Sequence, residues 1–303
     1  MKQSLPKISL ERLLVLHSDF LTELQNRTPE TRGTYERSLR EFLRWVQTEG
    51  EFRCTEEHVL VYRDYLEKRK KLKNASVMTY ITALRQFFTH LKKIGVLQEN
   101  PAAKIKAGKF QPHHTRKTLT LPQIQKLLQT IERNEERGFR DYAMIKAMID
   151  CGLSEIELVR ANMSDLKISR NKMHLAVQGK GKKHKDVIVQ FTPPVREAMR
   201  AYLVFRTKAE PHDPLFMSAG NRTRGERMTS RGIRERVNHY LEISGIKNGE
   251  ARKITAFSLR HSAIHSFIQK GASAEELQLQ FRIERLATAK RYIEQNGKTK
   301  LKN

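Results

Sequence analysis

The sequence has little cysteine, and it is short of acid relative to base. Cys54 and Cys151 are the only cysteines among 303 residues, too few for a disulfide framework or a cysteine zinc site, and this usage suits a reducing compartment. No run of about 18 apolar residues occurs, which excludes a membrane-spanning helix. The opening stretch MKQSLPKISLERLLVLHSDF also lacks the unbroken apolar core of a signal peptide, so a cytoplasmic chain with no membrane partner is expected. The eleven histidines show no metal-ligand spacing beyond His113-His114, which sits in a loop-like segment, so neither a metal nor a cofactor is expected. Internal repeats and low-complexity tracts are absent too.

What is present in excess is positive charge. The chain carries 58 Lys and Arg against 33 Asp and Glu, a formal charge of +25, far beyond what solubility requires. The basic residues are spread along the whole length and do not cluster beside an apolar anchor, which favours nucleic acid over a membrane surface. Such an interface gains affinity by releasing counterions and weakens steeply with salt. Hydrophobic residues make up 38%, enough for a chain of this length to bury two separate cores.

The first hundred residues read as helices joined by short turns. Tyr35, Leu39, Phe42, Leu43 and Val46 fall on one helical face, with Gly50 as a stop. Val77, Tyr80, Ile81, Leu84, Phe87, Phe88, Leu91 and Ile94 recur at helical spacing, with Asn74 or Ser76 as cap and Gly95 closing the run. Asn100-Pro101 ends this region, and residues 102–118 have no sustained periodicity and read as a basic linker. Thr120 then caps a new helix with Pro122 in its first turn, carrying Ile124, Leu127, Leu128 and Ile131. The expected domains are therefore 1–101 and 119–303.

One clear strand signal follows. Met173, Leu175 and Val177 alternate with other residues, as do Val187, Val189 and Phe191, and between them lies Gly179-Lys180-Gly181-Lys182-Lys183-His184-Lys185. This predicts a β-hairpin with a basic tip. The rest reads as helix apart from the Gly- and Arg-rich stretch from Ser218 to Arg227, so the expected class is mainly α with a small antiparallel sheet.

The order of elements and local motifs resembles the tyrosine recombinase, or phage integrase, family over about residues 10 to 296. The segments that carry the likeness are Asn100-Pro101, Arg140-Asp141-Tyr142, Cys151-Gly152-Leu153-Ser154-Glu155-Ile156-Glu157-Leu158, Ser164-Asp165, Gly179-Lys180-Gly181, Leu215-Phe216, Leu259-Arg260-His261 and the terminal Tyr292. The resemblance implies a helical SAM-like core-binding domain followed by an integrase-type catalytic domain. It also implies a chemistry. A tyrosine hydroxyl attacks a backbone phosphate to give a phosphotyrosyl link, two arginines hold the charge that builds on the phosphoryl oxygens, and a lysine and histidines manage protons.

Carried over by position, the family pattern is broken. Lys180, Arg260 and Tyr292 are retained, and so is His261. Ser154 stands where the first arginine belongs, Phe257 where a histidine precedes the second arginine, and Arg282-Ile283 where a Gly-His pair belongs. Serine cannot replace a guanidinium that holds two phosphate oxygens at once. Losing one such donor costs about 3–4 kcal/mol of transition-state stabilisation, roughly a thousandfold in rate. Two other arginines are candidates to stand in. Arg160 lies six positions after Ser154 and off its helical face, and Arg282 sits beside the lost histidine.

The expected function is a sequence-specific double-stranded DNA-binding protein on a recombinase scaffold, without strand cleavage, acting as a repressor-type regulator or accessory factor of a phage or mobile element. The alternative is an active, divergent recombinase. Candidate DNA contacts are Lys180, Lys182, Lys183, Lys185, Arg260 and His261, with Arg32, Thr34, Arg37, Lys73, Asn74, Ser76, Thr79 and Arg85 in the first domain. The segment after Tyr292 is polar and Lys-rich, which suggests a monomer or weak homo-oligomer, with room for a protein or peptide effector.

Overall fold

The computed structural model describes residues 7–105, 117–179, 184–220, 223–247 and 254–300. They fall into two compact units divided between His113 and His114. Both are mainly helical, and among the described residues the sheets are small and antiparallel.

The first unit is built on four helices, α1 Leu10–Glu23, α2 Pro29–Glu49, α3 Glu56–Asp64 and α4 Asn74–Lys93. Each of the first three starts at a hydroxyl cap: Ser9, Thr28 and Thr55 accept from the backbone N–H three residues on. The second helix begins earlier than its apolar stripe, because Thr28-Pro29 supplies a cap and a first-turn proline. A two-stranded ribbon, β1 Lys7–Ile8 with β2 Phe52–Arg53, is too short to leave a periodic signal in the sequence. The core is aromatic: Phe42 meets Phe52, Tyr62 and Phe88 edge-on at centroid distances of 5.1, 5.2 and 6.0 Å.

This packing runs past Pro101, into what the sequence suggests is linker. Ala102 and Ile105 are buried in the first core. Arg85 fixes them by donating from Nε and Nη2 to their carbonyls at 3.0 and 2.7 Å, and Asn100 Oδ1 accepts from the Ala102 N–H at 2.9 Å. Two apolar residues in irregular chain leave no period to read. The rest of the linker segment lies outside the described residues up to Lys117.

In the second unit, α5 Leu121–Gln129 opens on a reciprocal Thr120/Gln123 capping box. The chain continues through α6 Glu136–Asp150 and α7 Glu155–Arg160 into a three-stranded sheet, then α8 Pro193–Leu203, α9 Ser230–Ile243, α10 Ala256–Gln269, α11 Ala274–Gln280 and α12 Leu286–Lys300. The sheet has order β3 Leu166–Ile168, β4 Met173–Val177, β5 Val187–Gln190. The expected hairpin is β4–β5, with Leu175 opposite Val189 and Val177 opposite Val187. The strand β3 adds an edge with Leu166 opposite Leu175.

The main core packs α6, α8, α9 and the start of α10 against one face of the sheet. Inside it, Asp141 is fully buried and holds two arginines. Arg140 donates to Oδ1 from Nε and Nη2 at 2.9 and 2.6 Å, while Arg236 Nε and the Tyr240 hydroxyl donate to Oδ2 at 2.8 and 3.0 Å. A buried carboxylate is tolerated because each oxygen is paired. A separate apolar cluster of Ala263, Ile264, Leu277, Phe281 and Ala289 ties α10, α11 and α12 together. No described helix is long and apolar enough to cross a membrane.

Candidate functional site

The site grows from the end of α6. After Cys151 the chain turns through Gly152, whose φ of +60° is open to glycine and strained for other residues. Its Cα also lies against Phe281, since a Cβ there would come within 2.3 Å of the ring. This turn aims the Gly152 carbonyl at two guanidiniums: Arg260 Nη1 donates to it at 2.7 Å and Arg282 Nη2 at 2.9 Å.

Ser154 then starts α7. Its N–H and Oγ–H both donate to Glu157 Oε2, at 2.7 and 2.8 Å. The signature is Ser-x-x-Glu, a helix-start pattern legible in the sequence, and it anchors Glu157 at the position of only 2% exposure to which the site is tied. Arg282 grips this carboxylate with a fork, Nε to Oε1 at 2.6 Å and Nη2 to Oε2 at 3.0 Å. Arg260 adds a single bond, Nη1 to Oε2 at 3.1 Å, and its Nη2 donates to the Phe281 carbonyl. One carboxylate thus serves two guanidiniums.

The backbone at Arg282 explains how it gets there. The Ile283 N–H bonds to the Gln278 carbonyl at 2.9 Å and the Arg282 N–H to Leu279 at 3.3 Å, the paired closure of a helix end whose middle residue is left-handed. Arg282 holds that place with φ +52°, where glycine is the usual occupant. A left-handed non-glycine residue costs about 1 kcal/mol or more. Four side-chain hydrogen bonds offset it: two to Glu157, one to Gly152 and one to Gln280 at 2.7 Å.

Electrostatics follow from this crowding. Burial pushes the Glu157 carboxyl up, but Arg282 and Arg260 outweigh it and hold the group below its ordinary value. Burial pulls Arg260 down, and Arg282 beside it adds to that, against the opposing pull of Glu157. The phenol of Tyr292 also lies within electrostatic reach of Arg260.

Beside the charged cluster lies a mainly apolar group. Tyr292, on α12, packs with Ile283, Leu286 and Ile293 against the α10–α11 cluster. Its ring lies 5.4 Å from that of His261, which in turn meets Phe257 edge-on at 4.6 Å. Phe257 and His261 are one helical turn apart on α10, so the phenylalanine occupies the same side of the helix as the imidazole.

The structure therefore brings Ser154, Phe257, Arg260, His261, Ile283 and Tyr292 together, with Gly152, Glu157 and Arg282 at their centre. Arg160 does not join them: its Nη1 donates to the Gly179 carbonyl at 2.9 Å, at the root of the hairpin. Lys180, Lys182 and Lys183 lie outside the described residues. Lys185 is paired with Asp165. In the first unit Arg32, Arg37, Lys73 and Thr79 are exposed, with Thr34, Asn74 and Ser76 partly so. Thr79 Oγ1 bonds back to the Ala75 carbonyl at 3.1 Å, whereas the half-buried Arg85 faces the carbonyls of Ala102 and Ile105. Among the described residues no cluster of metal-ligating side chains occurs.

Comparison with known proteins agrees with this architecture. Residues 117–298 match the Phage integrase family, and residues 13–96 match the Phage integrase, N-terminal SAM-like domain. The chain is 28% identical over 275 residues to a tyrosine recombinase XerC of Pelobacter propionicus, covering 88% of this chain and 85% of the relative. A tyrosine recombinase XerC of Mannheimia succiniciproducens is 30% identical over 230 residues, covering 76% and 73%. Among solved structures, the XerH site-specific recombinase bound to palindromic difH substrate superposes with a TM-score of 0.73 at 17% identity, over 99% of this chain and 97% of that one. A lambda integrase dimer bound to a COC' core site gives 0.67 at 15% identity, over 91% and 96%. The chain belongs to the phage integrase family of tyrosine recombinases.

Proposed function

We propose that the protein binds double-stranded DNA sequence-specifically on a recombinase scaffold and does not cut it. Support comes from the charge of +25, from the family, and from structural neighbours that carry DNA. The observation that carries the non-cutting part is the pair Phe257 and Ile283. Both positions where the resemblance implies imidazoles hold hydrocarbon, packed against His261 and within the Tyr292 cluster. Proton transfer by a positioned side chain is worth about 10²–10⁴-fold each time it is used, and these two side chains supply none.

In this reading Arg260 and His261 serve affinity at the backbone, the lysines 180, 182 and 183 approach phosphates or a groove, and Arg32, Arg37, Lys73 and Thr79 are contacts of the first unit. Such a binder acts as a regulator or as an accessory factor according to where its site lies, which footprinting on neighbouring DNA reads directly.

A second reading, a recombinase with a rearranged site, is favoured by one observation: the Arg282 guanidinium stands against the Ser154–Glu157 turn, next to Arg260. A nicked suicide duplex separates the two. The expected result is tight binding with no covalent adduct. An adduct that forms with the native chain and disappears in Tyr292→Phe makes the protein a DNA-joining enzyme and removes the first reading.

A further inference from the structure

Resting on the DNA-binding reading, we propose that Arg282 is a positioning residue: it takes up the charge of Glu157, so that the positive charge and part of the donor set of Arg260 stay uncompensated and available to one backbone phosphate of the duplex.

The argument begins with a count of charge. Glu157, Arg282 and Arg260 form one contact group with side-chain exposures of 2%, 6% and 11%. Within this contact group one carboxylate against two guanidiniums leaves a surplus of one positive charge in a place where water screens poorly, and Glu155 acts on Arg260 only through space, more weakly than Glu157, Arg282 or Tyr292. The geometry says which guanidinium holds the surplus. Arg282 meets Glu157 with two N–H groups, one on each oxygen, while Arg260 touches only Oε2. The forked pair is the stronger and more directional one.

Donors tell the same story. Of the five N–H groups of Arg282, four face Glu157, Gly152 and Gln280. Arg260 engages Gly152, Glu157 and Phe281, which leaves its Nε–H and one Nη2 hydrogen for a further acceptor. Arg260 is also the more exposed of the two. With a neutral residue at position 282, Glu157 would pair wholly with Arg260 and the cluster would carry no net charge.

The test uses the full chain and a duplex enriched by it from a random-sequence library. Affinity is measured across salt concentrations for that duplex and for copies carrying one uncharged methylphosphonate at each backbone position in turn. The native chain is expected to lose about tenfold in affinity at one such position. Arg282→Gly should lose about as much on the unmodified duplex, become insensitive to the methylphosphonate there, and show a salt slope lower by about one. Adding Glu157→Gln to Arg282→Gly removes the carboxylate charge and should restore both the sensitivity and the slope, which a merely structural role for Arg282 does not predict. If Arg282→Gly does not fold, Arg282→Gln carries the same test, with the neutral side chain keeping part of the hydrogen bonding. Uniform weakening at every position without rescue by Glu157→Gln overturns the proposal and leaves the DNA-binding reading intact. Failure of the native chain to enrich any duplex removes both.

Discussion

Arg282 and Glu157 lie 125 positions apart in the chain and meet as a two-pronged ion pair, at 2.6 and 3.0 Å, with the arginine in a left-handed backbone conformation. The stability cost of that conformation and the gain of the pair can be separated by two substitutions. Both Arg282→Gly and Arg282→Ala delete the fork while Glu157 keeps Arg260 and Ser154, so each should lose about 1–3 kcal/mol, less than full orphaning of a buried carboxylate. Alanine retains the backbone strain and glycine relieves it, so the glycine variant should be the more stable of the two by about 1 kcal/mol. Urea unfolding followed by far-UV circular dichroism measures the difference. An alanine variant as stable as the glycine one would mean that φ at 282 is not left-handed in solution.

Glu157 also sets a pH dependence. Its folded-state carboxyl lies below the ordinary value of 4.5, because Arg282 and Arg260 outweigh the opposing effect of burial. A depressed acid contributes stability that is complete above its unfolded value and is lost as pH falls through the folded one. Glu157→Gln should therefore be less stable than the native chain at pH 7, with the gap closing on the acid side of about pH 4.5. Trp45, the sole tryptophan, lies in the first unit, so far-UV circular dichroism, and not its fluorescence, is the measure of the gap. A gap that stays constant down to pH 3 would show that Glu157 does not titrate abnormally.

Much of this was legible in the sequence, and the limits have physical causes. The helices of both units follow from apolar spacing, several with hydroxyl caps, and the β4–β5 hairpin from alternation at Met173–Val177 and Val187–Phe191; α4 differs from expectation, since Lys73 stands at its N-cap with no side-chain cap and neither Asn74 nor Ser76 serves as one. The strands β1 and β2 span two residues each and β3 three, too short for a period to register. At the site, the motif order points to Ser154, Arg260, His261 and Tyr292, which the structure places in one region. What the sequence hid was the central acid. Glu157 stands in the sequence only as part of the segment 151–158, and tertiary folding shows that its carboxylate holds two arginines, one of them delivered by a helix end where glycine is the usual occupant. Arg85 is the converse case, a cation on a basic chain that reads as a DNA contact and in fact closes the first unit on itself.

Arg85→Ala tests that last point. Removing the guanidinium leaves the carbonyls of Ala102 and Ile105 without their donor, each half-buried or buried, and should lower the stability of the first unit by about 1–3 kcal/mol. Trp45 fluorescence should report the loss. Because the guanidinium faces protein carbonyls, the salt dependence of duplex binding should keep its slope. A slope lower by about one would return Arg85 to the set of phosphate contacts.

Gly152 has little room to change. Its φ of +60° is shared in kind by Gly50, which closes α2 at φ +84°, but the surroundings differ: a Cβ at Gly50 meets nothing within 4 Å, while one at Gly152 falls 2.3 and 2.4 Å from Cε1 and Cδ1 of Phe281. Phe281 cannot give way easily, since it is 2% exposed and its carbonyl takes a bond from Arg260. Gly50→Ala should therefore cost about 1 kcal/mol, the backbone term alone. Gly152→Ala should cost about 3 kcal/mol or more, because a fixed aromatic ring must move as well. It should also weaken duplex binding, as the Gly152 carbonyl aligns both Arg260 and Arg282. Chemical unfolding of the two alanine variants side by side gives the comparison, and equal, small losses would mean that Phe281 does not press on Gly152 and that the turn holding the two guanidiniums is free to relax.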